Sequence, residues 1–239
     1  MSRIWNVGLA AVVGAAAWAG GCASSGGSGG GSGATMTQAA QQAMTPDQAL
    51  GRLAEGNRRF MNGRSEHRDY PAQVRATARA QYPFAVVLSC IDSRSAPELV
   101  FDQGIGDLFV PRVAGNYAPA DMLGSMEFAT KVAGARLIVV MGHTECGAIK
   151  GAVDNVQLGN LTTVIDALRP AVADVTNVPG PQTSSNSALV LAATEMNVRR
   201  TMAVIRRDSP IIRQLEESGQ IRIVGAMHDV ATGGVVFLN

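Results

Sequence analysis

Six residues, Ser89-Cys90-Ile91-Asp92-Ser93-Arg94, place a thiol, a carboxylate and a guanidinium at alternate positions directly after the apolar run Phe84–Leu88. Downstream, Gly142-His143-Thr144-Glu145-Cys146-Gly147 follows a second apolar run, Leu137–Met141. Cys90 with Asp92, and His143 with Cys146, offer two sulfurs, an oxygen and a nitrogen. That donor set suits tetrahedral Zn²⁺, and the two thiolates argue against magnesium or calcium. Either pair alone is weak, since a buried thiol beside a turn is ordinary. Their joint occurrence after two apolar runs makes a metal site the stronger reading. The competing chemistry, a Cys90–Cys146 disulfide, leaves Asp92, Arg94 and His143 without a shared purpose.

Arg94 decides what kind of metal site this is. A zinc ion with four protein ligands has no position left for water, whereas a catalytic zinc keeps three and an open fourth. Asp92 is the ligand able to leave, because Arg94 offers its carboxylate a bidentate partner. Asp92 and Arg94 are therefore expected to act as a catalytic pair, with water taking the vacated position as the nucleophile.

The elements that carry these residues follow from the hydrophobic rhythm. Phe84–Leu88, Leu108–Val110, Leu137–Met141 and Ile221–Ala226 are short, apolar runs of the kind buried on both faces of a sheet. Helical patterns over Ala120–Ala133, Leu161–Val175 and Ser187–Arg207 separate them, and Asn177–Asn186 reads as a long loop. The expected fold is α/β: a mostly parallel sheet of about four strands with helices on both faces and an N-terminal helical arm. Gly233-Gly234 before Val235–Leu238 adds an antiparallel edge strand. Cys90 and His143 then fall at the carboxyl edge of the sheet, where open α/β folds place their sites.

The chain has 239 residues, 46% hydrophobic and 16% charged, enough for one domain with a sizeable core. Arg3 is the only charged residue before Asp47, and the remainder carries 19 basic and 19 acidic residues. A neutral body gives no electrostatic reason to bind nucleic acid, so the expected partner is a small molecule.

The first residues read as a separate signal. Met1-Ser2-Arg3, the apolar Val7–Trp18 and the small residues Ala19-Gly20-Gly21 before Cys22 give residues 1–22 the order of an export signal. Cys22 followed by Ser24–Gly33 resembles a bacterial lipoprotein signal with lipid on the cysteine, although Ala19 stands where Leu is usual. Cleavage after Ala17-Trp18-Ala19 is the competing reading. Either implies work in the periplasm, with any membrane association made only through the anchor. Residues 23–44 are expected to be a flexible Gly/Ser/Ala/Gln linker, and the folded domain to span 45–239, starting at Thr45-Pro46-Asp47.

Cys-x-Asp-Ser-Arg followed by His-x-x-Cys-Gly closely resembles the β-class carbonic anhydrases. The similarity runs from Thr45 to Asn239 and includes Gln81-Tyr82-Pro83, Gly106–Val110, Arg112–Asn116 and Asp229…Thr232-Gly233. The resemblance implies one Zn²⁺ per chain on Cys90, Asp92, His143 and Cys146, and reversible hydration of CO₂ to bicarbonate. It implies closed and open states with Asp92 on zinc or on Arg94, and a homodimer or homotetramer with N-terminal helices packed across the partner. In the open state Asp92 would orient the zinc-bound hydroxide. The family motif also puts Gln81 where a substrate-bonding glutamine belongs, and Phe109, Ala114 and Phe128 at pocket-lining positions, partly across the dimer. Gly147 is expected to let the chain turn close to the metal. A CS₂ or COS hydrolase on the same scaffold is the sibling reading. A non-catalytic zinc-binding module is the rival from another class, disfavoured because a structural zinc needs no competitor for one of its ligands.

Overall fold

The computed structural model describes residues 32–238. The expected export signal, Cys22 and the first part of the linker lie outside those residues. Among the described residues, no helix is long and apolar enough to cross a membrane.

The sheet is built from β1 (Ala85–Ser89), β2 (Leu108–Phe109), β3 (Leu137–His143), β4 (Arg222–His228) and β5 (Val235–Leu238). Its order is β2-β1-β3-β4-β5, with the first four parallel and β5 antiparallel to β4. Every residue of β1 and β3 is buried, which explains why both read as unbroken apolar runs rather than alternating ones. β2 has two residues where three were expected. Beyond it the chain stays beside β1, with Pro111 O accepting from Ser89 N (3.1 Å) and Val113 N donating to Ser89 O (3.1 Å).

Helices cover both faces. On one, Val86, Leu88, Ile138, Val140 and Ile223 pack against Met126, Val198, Ile205, Ile212 and Leu215. These come from α5 (Ala120–Glu127), α8 (Ser187–Asp208) and α9 (Pro210–Glu217). The single helix expected over 120–133 ends as a π-helical turn at Phe128–Val132. On the other face, Ala85, Val87, Leu137, Val139 and Val224 meet Leu53 and Ala49 of α2 (Pro46–Met61) and Phe101, which follows α4 (Pro97–Val100). Thr45 starts α2 with Pro46 in the first turn, as the sequence predicts, and adds a full capping box to Gln48. Asn57 then ties α2 to both ends of the fold: its Nδ2 donates to Val100 O (3.0 Å) and Gly233 O (2.8 Å), and its Oδ1 accepts from Val235 N (2.9 Å).

The linker expectation fails for residues 32–44. Gln38–Ala43 form α1, capped by the Thr37 side chain. Gln41 is buried and its Nε2 donates to Pro83 O (2.7 Å) and Ala133 O (2.8 Å), while Met36 packs into the core under α2. Ser32 pairs with the loop before α3 (Tyr70–Thr77) through His67 O and Asp69 N. A polar composition hid one buried methionine and one doubly bonded glutamine, and those two residues pin the segment.

A third apolar cluster lies past the carboxyl ends of the strands. Cys90 and Cys146 sit in it with Ile149 of α6 (Gly147–Val153), Ile165 and Leu168 of α7 (Leu161–Ala173) and Val190 and Ala193 of α8. This cluster is the floor of the site.

Candidate metal centre

Strands β1 and β3 are neighbours in register, Ser89 opposite Met141, so Cys90 and His143 leave the sheet side by side. Past β3 the chain reverses at Glu145, whose φ of 60° is left-handed, and Cys146 then caps α6. The ligand atoms of Cys90, His143 and Cys146 all lie within 4.8 Å of one another, and all three residues are buried. The His143 ring is held by its Nδ1, which donates to Thr144 O at 2.9 Å. In the neutral ring that leaves Nε2 a lone-pair acceptor, buried and without a partner. An unmet acceptor in the interior costs roughly 1–3 kcal/mol unless something fills it. Two thiols and an imidazole nitrogen oriented this way fit a thiophilic divalent ion.

Asp92, the fourth expected ligand, stands apart from the trio. Its Oδ1 accepts from Arg94 Nε (2.9 Å) and from Arg94 N (3.0 Å), and its Oδ2 accepts from Arg94 Nη2 (2.8 Å). Asp92 Oδ2 is nevertheless only 3.9 Å from His143 Nε2. Of the two arrangements anticipated for the pair, this is the one with the carboxylate on the arginine.

The electrostatics follow the same geometry. The Arg94 side chain holds the Asp92 carboxyl well below the usual carboxylate range. A hydrogen bond from Cys146, helped by His143 and the Gly115 N–H, overcomes burial and keeps Cys90 far below the ordinary thiol value. As the donor in that bond, and buried, Cys146 is raised. Burial opposes charge on His143, but the adjacent Cys90 outweighs it and raises the imidazole.

Several residues that frame the site were not read from the sequence as site residues. Arg112 donates through Nε to Cys90 O (2.9 Å) and through Nη2 to Asp92 O (2.7 Å), clamping the backbone that carries both. Gly115 N points at Cys90 Sγ (3.4 Å), and its carbonyl is fixed by Asn197 Nδ2 (2.7 Å). The signal for Arg112 was its place just after the second apolar run, which becomes informative only once β2 is known to flank β1. Ser95 Oγ and His228 Nδ1 form a buried hydrogen bond of 2.9 Å beside the same turn.

The expected substrate residues divide. Phe109 and Phe128 meet edge to face, ring centroids 6.1 Å apart, and line one apolar groove of about 630 Å³ with Val86, Pro111 and Met122. Ala114 lies half-buried next to Gly115, beside Cys90. Gln81 is not brought to the metal-facing trio within one chain. It lies exposed before β1, lining a cleft with Gln41, Lys131 and Arg136 at the opposite edge of the sheet, and β1 alone separates the edges by ~17 Å. Gly147 does not make the turn either: its φ is not left-handed and a Cβ there would meet nothing within 4 Å. Glu145 makes that turn.

Comparison with known proteins agrees with this geometry. A family model described as carbonic anhydrase matches residues 85–235. Carbonic anhydrase 2 of Mycobacterium tuberculosis is 35% identical over 197 residues, covering 80% of this chain and 92% of that protein. Among solved structures, the β-carbonic anhydrase CcaA superposes with a TM-score of 0.61 at 27% identity, over 80% of this chain and 87% of that one. A tetrameric β-carbonic anhydrase from Sordaria macrospora gives 0.62 at 20% identity, over 81% and 95%, a likeness of fold. With its family model matched across the sheet and the site, and a relative of this identity along most of its length, the chain belongs to the β-class carbonic anhydrases, a family of lyases.

Proposed function

We propose that this protein is a zinc-dependent carbonic anhydrase that hydrates CO₂ to bicarbonate and a proton, with Cys90, His143 and Cys146 as the resident ligands. The observation that carries the reading is the buried, partnerless His143 Nε2 facing two thiols while Asp92 is held on Arg94. When bound, the ion would acidify water in its open position and so supply a nucleophile for CO₂ near neutral pH. The chain's own residues do the rest. Arg94 keeps the Asp92 carboxylate ionised and off the metal position. At 3.9 Å from His143 Nε2, that carboxylate is placed to accept a hydrogen bond from the nucleophile and orient it. The Thr144 carbonyl fixes the His143 tautomer, and Arg112 holds the Cys90–Asp92 backbone rigid.

We infer further that the working enzyme is a homodimer or homotetramer. Phe128 and Val132 are 52% and 72% exposed beside the Phe109 groove, and Gln81 reaches a metal trio only if the trio belongs to another copy. Residues 1–22 would export the chain to the periplasm, with Cys22 as the point of lipid attachment. Incorporation of labelled palmitate that is lost in Cys22→Ser tests the anchor.

Stopped-flow hydration of CO₂ from about pH 6.5 to 9, with zinc assayed on the same sample, tests the activity. Hydration that rises with pH at about one zinc per chain supports it. Full zinc without hydration, but with turnover of COS or CS₂, assigns the sibling chemistry. Full zinc with neither leaves a binding role.

A further inference from the structure

We propose that His228 is a positioning residue for the Asp92–Arg94 turn, acting through its buried hydrogen bond to Ser95. The inference rests on the hydratase reading above and extends it to a residue that touches neither substrate nor ligand atoms.

Ser95 and His228 are 133 residues apart in sequence, and both are almost fully buried, at 0% and 2% exposure. Ser95 Oγ and His228 Nδ1 are 2.9 Å apart. The Ser95 N–H donates to Asp92 O (3.0 Å), so Ser95 closes the turn whose carboxylate Arg94 holds. His228 ends β4 directly opposite His143 in register. Its carbonyl accepts from Thr144 N (2.9 Å), the residue whose own carbonyl fixes the His143 ring. One residue of β4 therefore reaches both halves of the site, the imidazole holding the Asp92 turn and the carbonyl holding the loop between His143 and Cys146.

The consequence follows from how small the gap is. Asp92 Oδ2 stands 3.9 Å from His143 Nε2, so a shift of the turn on the order of 1 Å brings the carboxylate into coordinating range. Arg112 fixes the turn at its start, at Cys90 O and Asp92 O, and the Ser95–His228 bond fixes it at its end. Without that second anchor the far end of the turn is free, and Asp92 competes for the open metal position.

The test uses the full chain loaded with cobalt(II), whose visible absorption reports the ligand in the fourth position. Arg94→Ala supplies the reference spectrum for Asp92 on the metal. Ser95→Ala and His228→Leu are expected to shift the wild-type spectrum toward that reference, and the double variant to shift it no further. His228→Asn, whose amide can occupy the place of Nδ1, is expected to restore the wild-type spectrum. CO₂ hydration should fall about tenfold or more in Ser95→Ala, the loss typical of removing a group that orients a metal site's residues. A wild-type spectrum in Ser95→Ala, or shifts that add in the double variant, would overturn the proposal. If His228→Leu fails to fold, Ser95→Ala and His228→Asn decide alone. A wild-type protein that binds cobalt but does not hydrate CO₂ defeats the functional reading, while the spectra still judge His228.

Discussion

Arg94 takes both carboxylate oxygens of Asp92, at 2.9 and 2.8 Å, while the nearer of them stays 3.9 Å from His143 Nε2. The aspartate is thus close enough to be a ligand and is prevented from being one by the residue two positions on. Asp92 owes its depressed pKa chiefly to the same contact, so it remains an acceptor throughout the neutral range. The sequence motif couples the two roles by spacing alone.

Arg112 should matter for metal retention more than its distance from the ligand atoms suggests. It donates to Cys90 O and Asp92 O and touches no ligand atom. Arg112→Gln is expected to weaken zinc binding by about 10–100-fold, the usual cost of losing a group that orients ligands. Competition against a chromophoric chelator measures it, and unchanged affinity would remove Arg112 from the account.

Gly56 in α2 sets a second test, on packing. A Cβ there would lie 1.8 Å from Phe101 O, so α2 cannot keep its place if the glycine is replaced. Alanine is the better helix former by about 1 kcal/mol. The clash wins: Gly56→Ala should lower stability by about 2 kcal/mol despite the gain in propensity. Urea unfolding decides the sign.

Asp102 gives the fold a predictable acid limit. Burial alone would raise its carboxyl, but hydrogen bonds from Arg59 and Arg68 and from Glu66 N bring it below its ordinary value. The unfolded chain, with an aspartate near 3.9, therefore takes up the proton first as pH falls. This stabilisation is complete above about pH 5 and is lost as pH drops through the folded value. Asp102→Asn leaves the Arg68 side chain, 6% exposed, with only the half-exposed Glu66 carboxylate as its anion and should cost about 2 kcal/mol at neutral pH. Its melting temperature should also depend less on acid than that of the wild type. Thermal unfolding between about pH 3 and 7 checks both statements.

Much of the site was legible because its chemistry is local. Cys90, Asp92 and Arg94 lie within five residues, and His143 and Cys146 within four, each directly after a short apolar run that reads as a doubly buried strand. The parallel sheet followed from the same runs. What escaped depends on contacts between distant residues. The Ser95–His228 bond and the reach of Arg112 to Cys90 exist only because β4 and the segment after β2 flank their neighbours. Residues 32–44 misled because Gln41 and Met36 are held by tertiary contacts that a composition of Ala, Gln, Ser and Thr does not announce. Gly147 misled because the strained position fell to Glu145, where a left-handed φ on an acidic side chain has no sequence signature.

Arg94→Ala, assayed for zinc and for CO₂ hydration on one sample, isolates what the guanidinium does for Asp92. With the guanidinium gone, Asp92 keeps only the backbone N–H of residue 94, and its carboxylate is free to turn to the metal. The variant should keep about one zinc per chain and lose nearly all hydration at every pH. A variant that holds its zinc and hydrates CO₂ at the wild-type rate would show that Asp92 does not need Arg94 to stay off the metal, and would contradict the account.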